Sequence, residues 1–516
     1  MTPASTTSSE PKANRTQRYL INVLWTWLGV AAGIVSAILL QPYTIRKLGD
    51  LDVSIWILVL SVVDYYWLID LGFRSATIKM SAEFRATDQH EQLSELISTS
   101  FTYTTIMATA IILLTIVVAP YAEGIWRIHR AVFPQLILIA GISFSLGMIF
   151  NIFGACVEGF QRFDLLGRIW ITTTIVRSIG VFVVLYIGHG LLWMGFVLLG
   201  AQLISYVMTY VSFRRVAPDV HVSPRRATIP MLRRMASYGI HSFTTIISGR
   251  LLNQGLPSII AYLLPTQSVV YYMTPMRIMD YALDGVGRVG MVTTPNTAEL
   301  MAKERQNEVA QLGVYANRYC LCLFLPIASV LLVYGYQIYS LWVRPSFAAA
   351  AAYLLPVIVI SHVAGCGQIN SVSILFGMGR HKIYSRFLLA EALITAGGMF
   401  YVLPRFGLWG GALLASSALV ANRGIAAGVL VSRELKISAA EYIAGIFLKP
   451  VLIAAATGAL LYAMKKFWLP GHNWAQIGLA SILMLIPYFA LTYKYCLAEH
   501  HQEFLKNRAL RLIGVR

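Results

Sequence analysis

Charge is scarce in this chain. Asp, Glu, Lys and Arg make up 12% of its 516 residues, about half the ~25% of an ordinary soluble domain. Hydrophobic residues make up 57%, so a water-soluble globule is excluded and most of the length must lie in lipid. Cysteine is nearly absent too. Cys156, Cys320, Cys322, Cys366 and Cys496 fall almost wholly inside apolar segments, without metal-ligand spacing or the paired spacing of a disulfide framework. The ten histidines form no HExxH pattern, and no metal site is expected. A GxxxxGK[ST] phosphate loop is missing, which removes an ATP-driven pump. No catalytic triad or carboxylate pair stands ready for hydrolysis, so the chain reads as a non-enzyme without a cofactor. The N-terminal tail is polar, with Thr, Ser and Pro, and the apolar run behind it is too long for a cleaved signal peptide.

What the chain does have is apolar runs of about 20 to 30 residues, each enough to cross a bilayer as a helix. About fourteen are present, centred near residues 30, 63, 108, 145, 176, 202, 250, 282, 328, 363, 394, 420, 454 and 485. The expected fold is an all-α polytopic membrane protein. Its net charge of +18 would suggest nucleic acid in a soluble protein. Here it reads as topology, because short loops rich in Lys and Arg stay in the cytoplasm. Arg214, Arg215, Arg225, Arg226, Arg233 and Arg234 crowd the sixth-to-seventh connection. Both termini are therefore expected on the cytoplasmic side of the cytoplasmic (inner) membrane, with no nucleic-acid partner. External connections are short and leave no extracellular domain.

The chain also repeats itself. Asp64-Tyr65 through Ser81-Ala82-Glu83 to Leu96 realigns without a gap on Asp280-Tyr281, Thr297-Ala298-Glu299 and Leu312. Gly159, Arg162, Arg168, Gly180 and Phe182 fall in the same way on Gly377, Arg380, Arg386, Gly398 and Phe400. Two like halves of six helices share one orientation, so a pseudo-two-fold along the membrane normal is expected, as in carriers that rock one half against the other. The expected organisation is a cytoplasmic tail at 1–17, a six-helix lobe at 18–215 and a basic linker at 216–236. A second lobe at 237–434, two extra helices within 435–498 and a cytoplasmic tail at 499–516 complete it.

Ionised side chains inside the apolar runs mark the candidate site, because each costs about 2.5–3.5 kcal/mol at the bilayer centre. The eighth run carries Arg277, Asp280, Asp284 and Arg288, spaced to share one stripe of a helix. That stripe must face a cavity or another helix. A tight turn at Leu264-Pro265 sets Arg250 near the depth of Asp280 and Asn253 near that of Arg277, and an Arg250–Asp280 pair would neutralise part of the charge. Asp64 is the repeat partner of Asp280 and finds no basic residue at its depth on the first run. It and Asp280 are the candidates for proton or cation coupling. Asp70 and Arg74 read as a structural i,i+4 pair. Arg177 and Arg423 are also deep, and deep guanidinium groups favour an anionic passenger, since they bind phosphate oxygens in bidentate fashion.

Pro42 to Leu48-Gly49, Asp70-Leu71-Gly72 and the turn Gly159-Phe160-Gln161-Arg162 give the chain a resemblance to the polysaccharide flippases of the multidrug, oligosaccharidyl-lipid and polysaccharide exporter superfamily. The resemblance covers about residues 18 to 500. It implies two six-helix bundles around a central cavity lined by helices one, two, seven and eight. It also implies flipping of an undecaprenyl-pyrophosphate-linked oligosaccharide, an O-antigen or exopolysaccharide unit, between the leaflets of the membrane. Expected partners are this lipid-linked substrate, membrane lipids, and a polysaccharide polymerase and glycosyltransferases, with the chain as a monomer. Its drug-efflux branch is the nearest rival, against which the deep arginines argue. A membrane-embedded glycan polymerase or ligase would need longer external loops.

Overall fold

Each of the expected apolar centres lies within a helix, and no strand occurs among the described residues. Lipid offers no partner to a backbone N–H or C=O, so a spanning segment must close its own hydrogen bonds. The computed structural model describes residues 12–70, 72–287 and 290–512. The side chains at 12–24, 26, 69–70, 238–246, 290–292, 381, 504–505 and 508–512 lie outside that description.

Two compact units divide the chain, Met1–Ile246 and Ile247–Arg516. The first holds α1 (Lys12–Asp64), a 3-10 turn (Tyr65–Asp70), α2 (Phe73–Ala86), α3 (His90–Trp126), α4 (Val132–Gly159), α5 (Phe163–Tyr186), α6 (Leu191–Val216) and the start of α7 (Ile229–Leu263). α1 is two helices joined at Gly49, whose φ of 84° and ψ of 170° suit a residue without a Cβ. α4 packs on α2, α3 and α6, and α1 packs on α5. Phe84, Leu96, Ile97, Phe153 and Phe213 fill one core, which Met231 and Met235 of α7 join. The basic connection is docked on this unit. Thr228 N–H donates to Thr99 Oγ1 at 3.1 Å, the Thr228 hydroxyl donates to Glu95, and Arg234 pairs with Glu83 at 3.1 Å. Those contacts tie the connection and the start of α7 to the first unit, which ends at Ile246.

The second unit continues with α8 (Ser268–Gly287), α9 (Gly290–Ala302), α10 (Gln306–Trp342), α11 (Pro345–Ala351), α12 (Leu355–Cys366), α13 (Ile369–Gly377) and α14 (His381–Leu419). A π turn (Val420–Ala426), α15 (Ala427–Glu434), α16 (Ala439–Phe467), α17 (Trp474–Tyr495) and α18 (Glu499–Leu512) follow. α16 and α17 belong to this unit's core, against α10. Arg318 Nε donates to Gly445 O at 2.8 Å, and Tyr488 Oη donates to Cys322 O at 2.8 Å.

The duplication is visible in local geometry. A Cβ at Gly159 would lie 2.6 Å from Ile78 O, and one at Gly377 would lie 2.7 Å from Thr294 O. Ile78 and Thr294 are themselves repeat partners, so both glycines permit the same close helix crossing. Positive φ recurs at Asp88 (53°) and Glu304 (57°), and at Gln161 (59°) and Gly379 (71°).

Among the described residues, ten helical segments are long and apolar enough to cross a membrane. Two of them, Trp27–Leu68 and Lys382–Glu434, each contain two of the expected runs. α7 and α8 are not among the ten, and Arg277, Asp280 and Asp284 sit within the 20 residues of α8. Large apolar side chains point outward, with Leu39 67%, Val207 63% and Ile486 65% exposed. Water would not tolerate a surface of that kind at this extent; acyl chains do. The chain is a multi-pass membrane protein.

Candidate functional site

α8 presents two different faces. Tyr272, Pro275, Met279 and Val286 are buried and recur at helical spacing, which fixes that side against α10 and α12. At about 100° per residue, Arg277, Asp280 and Asp284 project from the other side. Asp280 and Asp284 are exposed and Arg277 is half-buried. Arg277 Nε is buried without a hydrogen-bond partner among the described residues. Among the described residues, Arg277, Asp280 and Asp284 thus lie on the side of α8 away from its buried face. Arg288, its fourth expected member, lies outside the described residues.

The charges acting on Asp280 are those of Arg277, Asp284 and Arg423. Arg423 reaches this region from the π turn, a widened turn of the kind that recurs at functional sites. Gly424 and Ala364 allow the turn to lie against α12, where a Cβ on the glycine would sit 3.0 Å from that of the alanine. Arg423 Nε donates to Glu391 Oε2 at 3.2 Å and stands 3.1 Å from Oε1. Asn422 Nδ2 donates to the same Oε2 at 2.6 Å. The Glu391 side chain is 3% exposed and that of Arg423 36%. One end of this ion pair is thus sealed and the other is open. Buried His362 of α12 shares the electrostatic field of Arg423.

On α7, Leu251 and Leu252 pack with Leu388 and Ala392 of α14, which flank Glu391. Arg250 is half-buried and Asn253 is exposed. The remaining candidates belong to the first unit. Asp64 is the half-buried last residue of α1, where the chain tightens into the 3-10 turn. Arg177 is exposed on α5, next to Ser178, whose hydroxyl is 2.5 Å from that of Ser36. Arg74 pairs with Glu158 of α4 at 2.5 Å, while the side chain of Asp70 lies outside the described residues.

Arg277, Asp280 and Asp284 thus share one face of α8, and Arg423 acts electrostatically on Asp280. Sequence reasoning missed Glu391 and Asn422. A signal was available, since Glu391 is the one acidic residue between Phe387 and Phe400, deep in an apolar run. Chemically, the second unit offers Arg250, Arg277 and Arg423 against Asp280, Asp284 and Glu391. Among these described residues the two signs are equal in number, and Arg423 and Glu391 are paired.

The family described as "Polysaccharide biosynthesis protein" matches residues 51–343. An uncharacterised membrane protein of Methanocaldococcus jannaschii is 22% identical over 416 residues, 76% of this chain and 80% of that protein. Among solved structures, the lipid II flippase MurJ in an inward closed conformation superposes with a TM-score of 0.70 at 14% identity, covering 92% of this chain and 99% of its own. An inward-facing multidrug resistance MATE family transporter of the MOP superfamily superposes with a TM-score of 0.63 at 12% identity, covering 81% and 97%. These likenesses establish a shared fold.

Proposed function

The chain belongs to the polysaccharide biosynthesis protein family, and from that membership we propose that it flips a polyprenyl-pyrophosphate-linked oligosaccharide from the inner to the outer leaflet of the cytoplasmic membrane. The observation that carries the reading is the accessible α8 stripe, with the half-open Arg423–Glu391 pair in its field. Three ionised side chains on one face would cost roughly 8–10 kcal/mol against lipid, so a polar space must adjoin them. The fold shared with a lipid II flippase supports the same reading.

In this account the lobes, six helices each and related about the membrane normal, open alternately to either side, with both termini in the cytoplasm. The pyrophosphate is captured by Arg250, Arg277 and Arg423, aided by Asn253, Arg288 and Arg177, while the lipid tail stays in the bilayer. Its oxygens replace carboxylates on the guanidinium groups, an exchange that bidentate Arg–phosphate geometry favours. Asp280 and its repeat partner Asp64 take up a proton or cation, which couples the cycle to a gradient. The membrane potential supplies about 2.3 kcal/mol per charge per 100 mV. The chain acts as a monomer alongside the glycosyltransferases that build the substrate and the polymerase that consumes it.

Small-molecule antiport is the second reading, favoured by the accessible Asp280 and Asp284 and by the fold shared with a MATE transporter. One experiment separates the two. Arg277→Ala and Arg250→Ala are expected to reduce glycan export while the protein still inserts; full export in both would refute an anion-binding site.

A further inference from the structure

α16 and α17 stand outside the duplication, and the turn between them builds a second polar feature. A cavity of about 570 Å³ lies between the C-terminal end of α10, the end of α16 and that turn. Lys465, Lys466 and His472 line it, together with Tyr336, Gln337 and Tyr462, and its lining includes no acidic residue. The cavity is therefore electropositive. Lys465 Nζ donates to Val333 O at 2.6 Å, which uses one of its three N–H donors. Lys466 has its ammonium 5.5 Å from the Phe467 ring centroid. Gln337 Oε1 is buried without a hydrogen-bond partner among the described residues, an acceptor waiting for a hydroxyl or N–H donor.

The surroundings fix the depth. Tyr462, Phe467, Trp468 and Trp474 are 59%, 70%, 76% and 51% exposed around the same turn. A ring of outward aromatic side chains at a helix end marks the membrane–water interface, where lipid headgroups sit. We propose that this cavity holds the headgroup of an anionic phosphoglycerol lipid. The two ammonium groups meet the phosphate, and a glycerol hydroxyl donates to Gln337 Oε1. A choline or ethanolamine head would bring a cation against two lysines and is disfavoured. In the orientation proposed above, the site is in the outer leaflet.

The test uses the full-length protein in detergent, native mass spectrometry, and three probes: phosphatidylglycerol, phosphatidylcholine and free glycerol 3-phosphate. Phosphatidylglycerol should be retained at least about tenfold better than phosphatidylcholine, as expected of charge-assisted contacts. Lys466→Gln, at an exposed position, should reduce that preference, Lys465→Gln/Lys466→Gln should abolish it, and Lys466→Arg should keep it. Unchanged retention in the double variant would overturn the site, and equal retention of both lipids would overturn its charge selectivity. Free glycerol phosphate binding as tightly as the lipid would overturn the lipid assignment. Because the readout is binding and not export, the outcome is independent of the flippase reading.

Discussion

Replacing Glu391 with leucine leaves the Arg423 guanidinium without its carboxylate and the Asn422 amide without its acceptor. Breaking a fully buried ion pair from one side costs about 3–5 kcal/mol. Here only the Glu391 end is sealed, at 3% exposed, while the Arg423 side chain is 36% exposed. Solvent screens part of the loss, and about 2 kcal/mol is expected. Glu391→Gln should cost less, because it still accepts from Asn422. The double variant Glu391→Leu/Arg423→Met removes both charges and should recover to within about 1 kcal/mol of the parent. Thermal unfolding of the detergent-purified protein at one fixed scan rate reads the order of the three variants. A Glu391→Leu protein that melts with the parent, or a double variant that melts below both single variants, would show that the pair does not hold α14 to the π turn. Export distinguishes a purely structural pair from a substrate contact, since the stable double variant should still export poorly if Arg423 grips the passenger.

Other outcomes follow from local geometry. Gly159→Ala and Gly377→Ala each push a Cβ onto a backbone oxygen at 2.6 and 2.7 Å, and each should destabilise its own unit by about 1–3 kcal/mol, read as reduced folded yield and a lower melting midpoint. Gly49→Ala should strain the joint in α1, where φ is 84°, by about 1–2 kcal/mol. At the far end of the chain, His501 Nδ1 stands 2.7 Å from Tyr319 Oη, and burial, with the neighbouring His500, holds its pKa below the usual histidine value. The folded state thus disfavours the imidazolium, so α18 docking is fully supported above the unfolded histidine pKa of about 6.5. That support is lost as pH falls from there through the lower folded value. The protection of α18 amides against hydrogen exchange, corrected for the intrinsic pH dependence of exchange, should fall on acidification through this window, and less so in His501→Leu.

The helices were legible because apolar runs of spanning length have few other uses, and the duplication was legible because it keeps residue types at a fixed offset. The stripe on α8 was equally readable: periodicity reports which residues share a face. Partners across helices were not. Arg423 pairs with Glu391 on α14 and Arg74 also reaches Glu158 on α4, because tertiary packing decides which of several charges at similar depth meet. The π turn carries no strong local signal, yet it sets the direction of Arg423. The apolar signal of α8 is also weaker than that of the ten spanning segments, since the charges that mark it as a site lower its hydropathy.

In the flippase proposed above, the Arg277 guanidinium of α8 grips a phosphorylated lipid as it crosses the membrane. The most direct test reconstitutes the purified protein in vesicles carrying a fluorescent polyprenyl-pyrophosphate oligosaccharide and follows the label's transfer between leaflets. The account predicts transfer by the parent, little or none by Arg277→Ala, and partial recovery by Arg277→Lys. Equal transfer by the parent and Arg277→Ala would contradict it.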